Sequence, residues 1–126
     1  MADVVLLKQR VEPGKTDQLR EWMAELRSRR DEAVETLQHE GLYTEASFVE
    51  SRADGTFLLT FLEAEDIDRA FEAYESSTHE LDREHREVLD EVLADVQPER
   101  NIEVLADVQP ERNIELLYQV TNPERP

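Results

Sequence analysis

Cysteine is missing from this chain of 126 residues, which removes disulfides, thiolate nucleophiles and cysteine-based zinc sites from consideration. That absence fits a reducing interior. Lysine is nearly missing too: Lys8 and Lys15 stand beside twelve arginines and 31 acidic residues, for a formal charge of -17 at pH 7. Without a basic patch to hold phosphates, nucleic acid is not expected as a partner. Long apolar runs are lacking as well. No stretch approaches the roughly 20 residues that span a bilayer, and the opening Met-Ala-Asp-Val-Val-Leu-Leu-Lys has no basic leader. No membrane partner is expected, and a cytoplasmic location is. HExxH, P-loop, GxGxxG and GxSxG patterns do not occur. With only three histidines, neither a metal nor a cofactor is expected.

The acid excess describes a solvent. Self-repulsion on this scale opposes a compact state in dilute buffer and is largely removed where the Debye length falls to about 3 Å, near 1 M salt. Adaptation to the cytoplasm of a salt-accumulating halophile is the expectation. A hydrophobic content of 39%, in periodic runs, argues against an acidic disordered chain. The length suits one domain over residues 1–126 with one core.

Val4 to Val11 reads as a strand ended by Glu12-Pro13-Gly14. From Lys15 to about His39 the period becomes helical, with Leu19, Trp22, Met23, Leu26, Ala33, Val34 and Leu37 on one side, and Gly41 suits the left-handed residue after it. Leu42 to Ser51 and Thr56 to Glu63 are β-rich and joined through Asp54-Gly55, a hairpin signal. A second helical pattern runs from Glu65 to a stop at Pro98, and Ser77, Thr78 and Glu80 form a possible capping box that would break or bend it near Ser76. Ile114 to Val120 is a last strand. The order is that of an α+β, ferredoxin-like βαββαβ plan: a four-stranded antiparallel sheet with two helices on one face. Strand three is apolar on both sides, as is strand one, so the second sheet face is expected to be covered by another subunit.

Glu91 to Ile102 recurs unchanged as Glu103 to Ile114. Two copies of a twelve-residue unit do not make a solenoid, so the exact 91–114 duplication reads as tandem slippage. Both copies fit the fourth strand position. Burial of Leu116 and Tyr118 favours Ile114 to Val120, leaving Asn101 to Gln109 as a surplus excursion.

With Phe57, Leu59 and Phe61 toward the helices, the opposite face would collect Leu58, Thr60 and Leu62 with Tyr43, Glu45, Ser47 and Val49 or their alternates. Such a mostly apolar chamber suits a small molecule, oriented by Lys8, Glu45, Thr60 or Tyr43. His79 and His85 flank Asp82 and Glu84, an arrangement open to general base chemistry. The catalytic candidates are thus His79, His85 and Tyr43. Six residues apart, the two histidines are rotated by about 120° on a helix, which argues against a shared metal. His85 falls on the apolar stripe, where a half-buried, hydrogen-bonded role competes with catalysis. Arg27, Arg29 and Arg30 could hold an anion or form a solvated helix face.

Val-Glu-Pro-Gly-Lys-Thr leading into a helix with Leu-Arg-Glu-Trp, and a long second helix before a short final strand, resemble the dimeric α+β-barrel proteins of the antibiotic-biosynthesis-monooxygenase and stress-responsive kinds. Lys15 to His85, with SSTHELDREHREVL, is similar to a family of small halophile proteins of unknown function. The resemblance implies a homodimeric α+β barrel whose bare sheets enclose a pocket in each subunit. Its haem-degrading members use an Asn on strand one and a Trp near strand three. Here neither is present, the one tryptophan being Trp22 on helix one. Binding of a small molecule or a structural role is one reading. A cofactor-independent monooxygenase- or isomerase-like enzyme is the alternative, and an acidic protein-interaction module the third.

Overall fold

The apolar periods above resolve into an α+β architecture, and the computed structural model describes residues 2–94, 99–100 and 114–124. Strand β1 (Asp3–Arg10) leads through a turn into helices α1 (Thr16–Ser28) and α2 (Arg30–Glu40). Strands β2 (Leu42–Arg52) and β3 (Gly55–Ala64) form the hairpin, followed by α3 (Ile67–Ser76) and α4 (Glu80–Val92). A two-residue strand β4 (Glu99–Arg100) and β5 (Ile114–Thr121) complete the elements.

Each helical pattern forms two helices. The first breaks at Arg29, whose guanidinium binds Glu25 at 2.9 Å, Glu32 at 2.7 Å and Glu84 of α4 at 2.8 Å. The break is thereby tied to the second pair of helices. The second pattern opens between Ser77 and His79. His79 takes the N-cap position, its ring accepting from the Leu81 amide at 3.1 Å, while Asp66 caps α3 by accepting from the Arg69 amide. Gly41 has φ 73, the left-handed conformation expected of the residue after α2. Helix α4 ends at Val92, ahead of the expected stop at Pro98, a residue outside the described ones. Leu93 leaves the helix because it bridges Val11, and the Ala94 amide donates to the Arg10 carbonyl at 2.9 Å.

The antiparallel sheet has the order β4-β1-β3-β2-β5. The long closing strand therefore lies beside β2, where it pairs with Thr44 to Glu50, and not beside β1 as the ferredoxin-like plan requires. The place beside β1 is held by Glu99–Arg100, opposite Lys8 and Leu7. Ile114 to Val120 thus forms the closing strand as expected, with Tyr118 buried, but Leu116 is exposed rather than buried; the first copy adds Glu99–Arg100 at the opposite sheet edge. The proposed excursion at Asn101 to Gln109 lies outside the described residues. Three arginines close the β5 edge: Arg27 donates to the Leu117 carbonyl, Arg30 to the Gln119 carbonyl at 3.4 Å, and Arg20 meets Glu115 at 3.0 Å. Cations on an exposed strand edge discourage pairing with a further chain. That is where most of the arginine cluster is spent.

Sheet parity is the reverse of the arrangement considered above. Lys8 pairs with Leu59 and Arg10 with Phe57, so Phe57, Leu59 and Phe61 share their face with two cations. Those charges cannot be placed under the helices without partners, and the aromatic side goes with them. Leu58, Thr60 and Leu62 face the helices with Val5 and Leu7. Leu19, Trp22, Met23, Leu26, Leu37, Leu81 and Val92 close over them as the core.

Candidate functional site

Because α1 and α2 cover β5 and β2 while α3 covers β3 and β1, the layers do not meet everywhere. Between them lies a cavity of about 340 Å³. Leu7, Leu58 and Leu62 form its floor and Met23, Phe71 and Leu89 its apolar roof. Glu40, Glu45, Tyr74 and His85 line its polar end and also border a chamber of about 30 Å³ with Asp82 and Tyr118.

Burial governs the electrostatics of that end. Desolvation, with the neighbouring Asp82 charge, pushes Glu45 up to about 7. Glu40 is pushed up to about 10, first by desolvation and then by its hydrogen bond and charge interaction with Asp82. At neutral pH Glu40 is therefore a neutral acid that donates to the Asp82 carboxylate. Beyond their bond to each other, no described group bonds the buried Glu40 Oε2 or Asp82 Oδ2. Tyr74 and Tyr118 are both raised, by desolvation and then by the Glu45 charge, and stay protonated.

His85 is neutral, held down to about 4 by desolvation against the opposing pull of Asp82. Its tautomer is set by Trp22, whose Nε1–H donates to His85 Nδ1 at 2.8 Å. The imidazole proton is then on Nε2. Tyr74 meets the same ring edge-on at 6.0 Å. Although Glu45 and His85 are only half-buried by exposed area, the surface they expose borders the cavity, so their charged forms are as poorly solvated as those shifts imply. The arrangement offers neutral donors from Glu40, Tyr74 and His85 beside an acid balanced near neutrality, which is what proton transfer to a bound molecule needs. Among the described residues no three His, Asp or Glu side chains converge to hold a metal ion.

A family profile described as "Family of unknown function (DUF6176)" matches residues 2–113. The chain belongs to this family. No curated protein matches it. Among solved structures, the crystal structure of a conserved protein from Methanosarcina mazei Go1 is similar at 24% identity, with a TM-score of 0.52, covering 80% of this chain and 89% of that one. At that identity the likeness shows the fold alone.

Within this DUF6176 chain, Glu45, Thr60 and His85 border the cavity. Lys8 does not. It lies on the opposite sheet face, 3.4 Å from Glu50 and over the Phe57 ring at 4.4 Å. His79 caps α4 and bonds Glu35 at 3.1 Å, and Tyr43, at the register shift between Leu42 and Thr44, does not line the cavity. Sequence reasoning missed Glu40, Tyr74 and Tyr118. A signal for Glu40 was present: it continues the Ala33–Leu37 stripe at the negative end of α2, where a carboxylate is disfavoured. No described helix is long and apolar enough to cross a membrane.

Proposed function

We propose that the chain binds a small, largely apolar molecule between the sheet and the helices, with the molecule's polar group at Glu40, Glu45, Tyr74 and His85. The observation that carries this is the cavity itself: about 340 Å³, apolar along most of its wall, with Glu40, Glu45, Tyr74 and His85 together where it meets the smaller chamber. Ligand sites have that composition and, at the small end, that volume. Native mass spectrometry of the protein taken from its source cytosol tests it. An adduct lost on denaturation is expected. Absence of any adduct, together with unchanged Leu58 and Leu62 methyl resonances across a panel of small apolar molecules, overturns the reading.

A second reading, favoured by Glu45 at about 7, is a cofactor-independent acid–base enzyme in which Glu45 takes a proton from the bound molecule and a tyrosine or His85 Nε2–H supports the developing charge. Deuterium exchange into a bound carbonyl compound, stopped by Glu45→Gln, tests it. Exchange that survives the substitution rules Glu45 out as the base.

The setting we infer is a salt-rich cytoplasm and a two-fold dimer. The charge of -17 supports the first; a melting midpoint that is equal in about 0.1 M and about 3 M KCl would remove it. Val4 and Leu116, on the face turned from the helices and 59% and 55% exposed, support the second. Phe57 and Leu59 on that face are already buried within the chain, so the surface left for a partner is smaller than an entirely bare sheet. Light scattering that finds a monomer at high salt removes the dimer.

A further inference from the structure

We propose that the ligand of this cavity is an organic cation: a protonated amine on a small apolar body, its ammonium seated among Glu40, Glu45 and Asp82. The inference rests on the ligand-binding reading above and names the chemistry of its polar group.

Three observations converge. Glu40, Glu45 and Glu75 line the cavity and, among the described residues, no Lys or Arg does, so the charges there are of the sign that repels an anionic ligand. Arg86 of α4 does not neutralise the acids by contact, since its Nη1 donates to the Tyr74 carbonyl at 2.6 Å and its Nη2 to the Ser77 carbonyl at 2.8 Å. Second, Glu40 and Asp82 are only 6% and 5% exposed, and beyond the bond between them each carries a buried oxygen that no other described group meets. An unmet buried acceptor is costly, and an ammonium brings three donors at once. Third, the chamber of about 30 Å³ that these acids border with Tyr74 and Tyr118 has room for one group the size of a water molecule. The aromatic rings at its wall suit a cation. The larger cavity shares Glu40, Glu45, Tyr74 and His85 with it, leaving Leu58, Leu62, Phe71 and Leu89 for the apolar body. Burying an ammonium is unfavourable unless its charge is paired, and the carboxyls of Glu40, Glu45 and Asp82 around this chamber pair it.

Binding a cation favours ionised Glu45. The titratable groups that face that carboxyl across the chamber are Glu40 from α2, Tyr74 from α3, Asp82 and His85 from α4, and Tyr118 from β5, and the charge that acts on it is that of Asp82. Affinity for the amine should therefore fall by up to about tenfold per unit as pH drops below neutrality.

Calorimetric titration of the full chain with 2-phenylethylammonium, 2-phenylethanol and phenylacetate tests the proposal. The ammonium is expected to bind at least about tenfold tighter than the isosteric alcohol, and the carboxylate not at all. Glu45→Gln should abolish the preference for the ammonium over the alcohol. If the alcohol or the carboxylate binds as tightly as the ammonium, or if the preference survives Glu45→Gln, the cation inference is overturned while the cavity stands. If none of the three binds or moves the Leu58 and Leu62 methyl resonances, the cavity reading fails and the inference with it.

Discussion

The two faces of the sheet bury charge in opposite ways. Turned from the helices, Lys8 and Glu50 are 3% and 0% exposed and sit 3.4 Å apart, while Lys8, Arg10 and Arg52 gather over the Phe57 ring at 4.4, 4.8 and 5.9 Å. Cation meets anion and ring within the chain. Under the helices, Glu40, Glu45 and Asp82 crowd together with no cation from the described residues in the cavity wall, and Glu40 and Glu45 respond by holding protons toward or above neutrality. Charge that is matched locally serves the fold. Charge that is left unmatched along a cavity wall is what a bound cation would match.

The contrast predicts opposite signs for neutralising one residue on each face. Lys8→Met removes a partner of a fully buried carboxylate, and a loss of about 3 kcal/mol in urea unfolding at neutral pH is expected. A neutral outcome would mean that Glu50 does not depend on Lys8. Glu40→Gln should do the reverse. It replaces a carboxyl that folding forces to keep its proton with an amide that can still donate to Asp82, so a gain of about 2 kcal/mol is expected near pH 8.

The pH dependence sharpens this further. Glu40 moves from an ordinary 4.5 to about 10 on folding, so the native state holds a proton that the unfolded chain releases. Its contribution is present below about 4.5 and is lost as pH rises toward 10. Glu45, raised to about 7, adds to that loss only up to neutrality. His85, lowered to about 4 from 6.5, acts oppositely and costs stability as pH falls below 6.5. Between about pH 7 and 9 Glu40 acts alone among the three, with a slope near 1.4 kcal/mol per unit. Unfolding free energies across that window should fall with pH in the natural protein and flatten by about that slope in Glu40→Gln. Equal slopes would show that Glu40 is ionised in the native state.

The smallest effect is expected at Trp22. Trp22→Phe keeps most of the apolar surface but removes the donor to His85 Nδ1, for a loss of about 1 kcal/mol. The diagnostic measurement is imidazole titration by NMR. Freed from a donor that requires a bare Nδ1, His85 should titrate at higher pH than in the natural protein.

Much of this arrangement was legible in the residues. Gly41 as the left-handed residue after the helix, the hairpin through Asp54-Gly55, and the opening near Ser76 each follow from a local backbone requirement that a short stretch of sequence states by itself. His85 on its apolar stripe was legible as half-buried and hydrogen-bonded, though its donor, Trp22, lies 63 residues away and has no mark in the sequence. Strand three, apolar on both sides, could not announce its parity. That was decided by pairing with β1, where Lys8 and Arg10 oppose Leu59 and Phe57. The acid cluster was hidden because Glu40, Glu45 and Asp82 come from three elements.

The sequence by itself determined the α+β class, the order of the elements and the residues that cap and turn them, because these depend on period, chirality and neighbours along the chain. It also fixed the acid excess. The tertiary structure alone decided which sheet edge the closing strand joins, since the apolar pattern of Ile114 to Thr121 does not say whether β1 or β2 is its neighbour. It decided, too, that three carboxyls separated by up to 42 positions share one low-dielectric space, for a side chain's ionisation depends on what surrounds it and not on what precedes it in the chain.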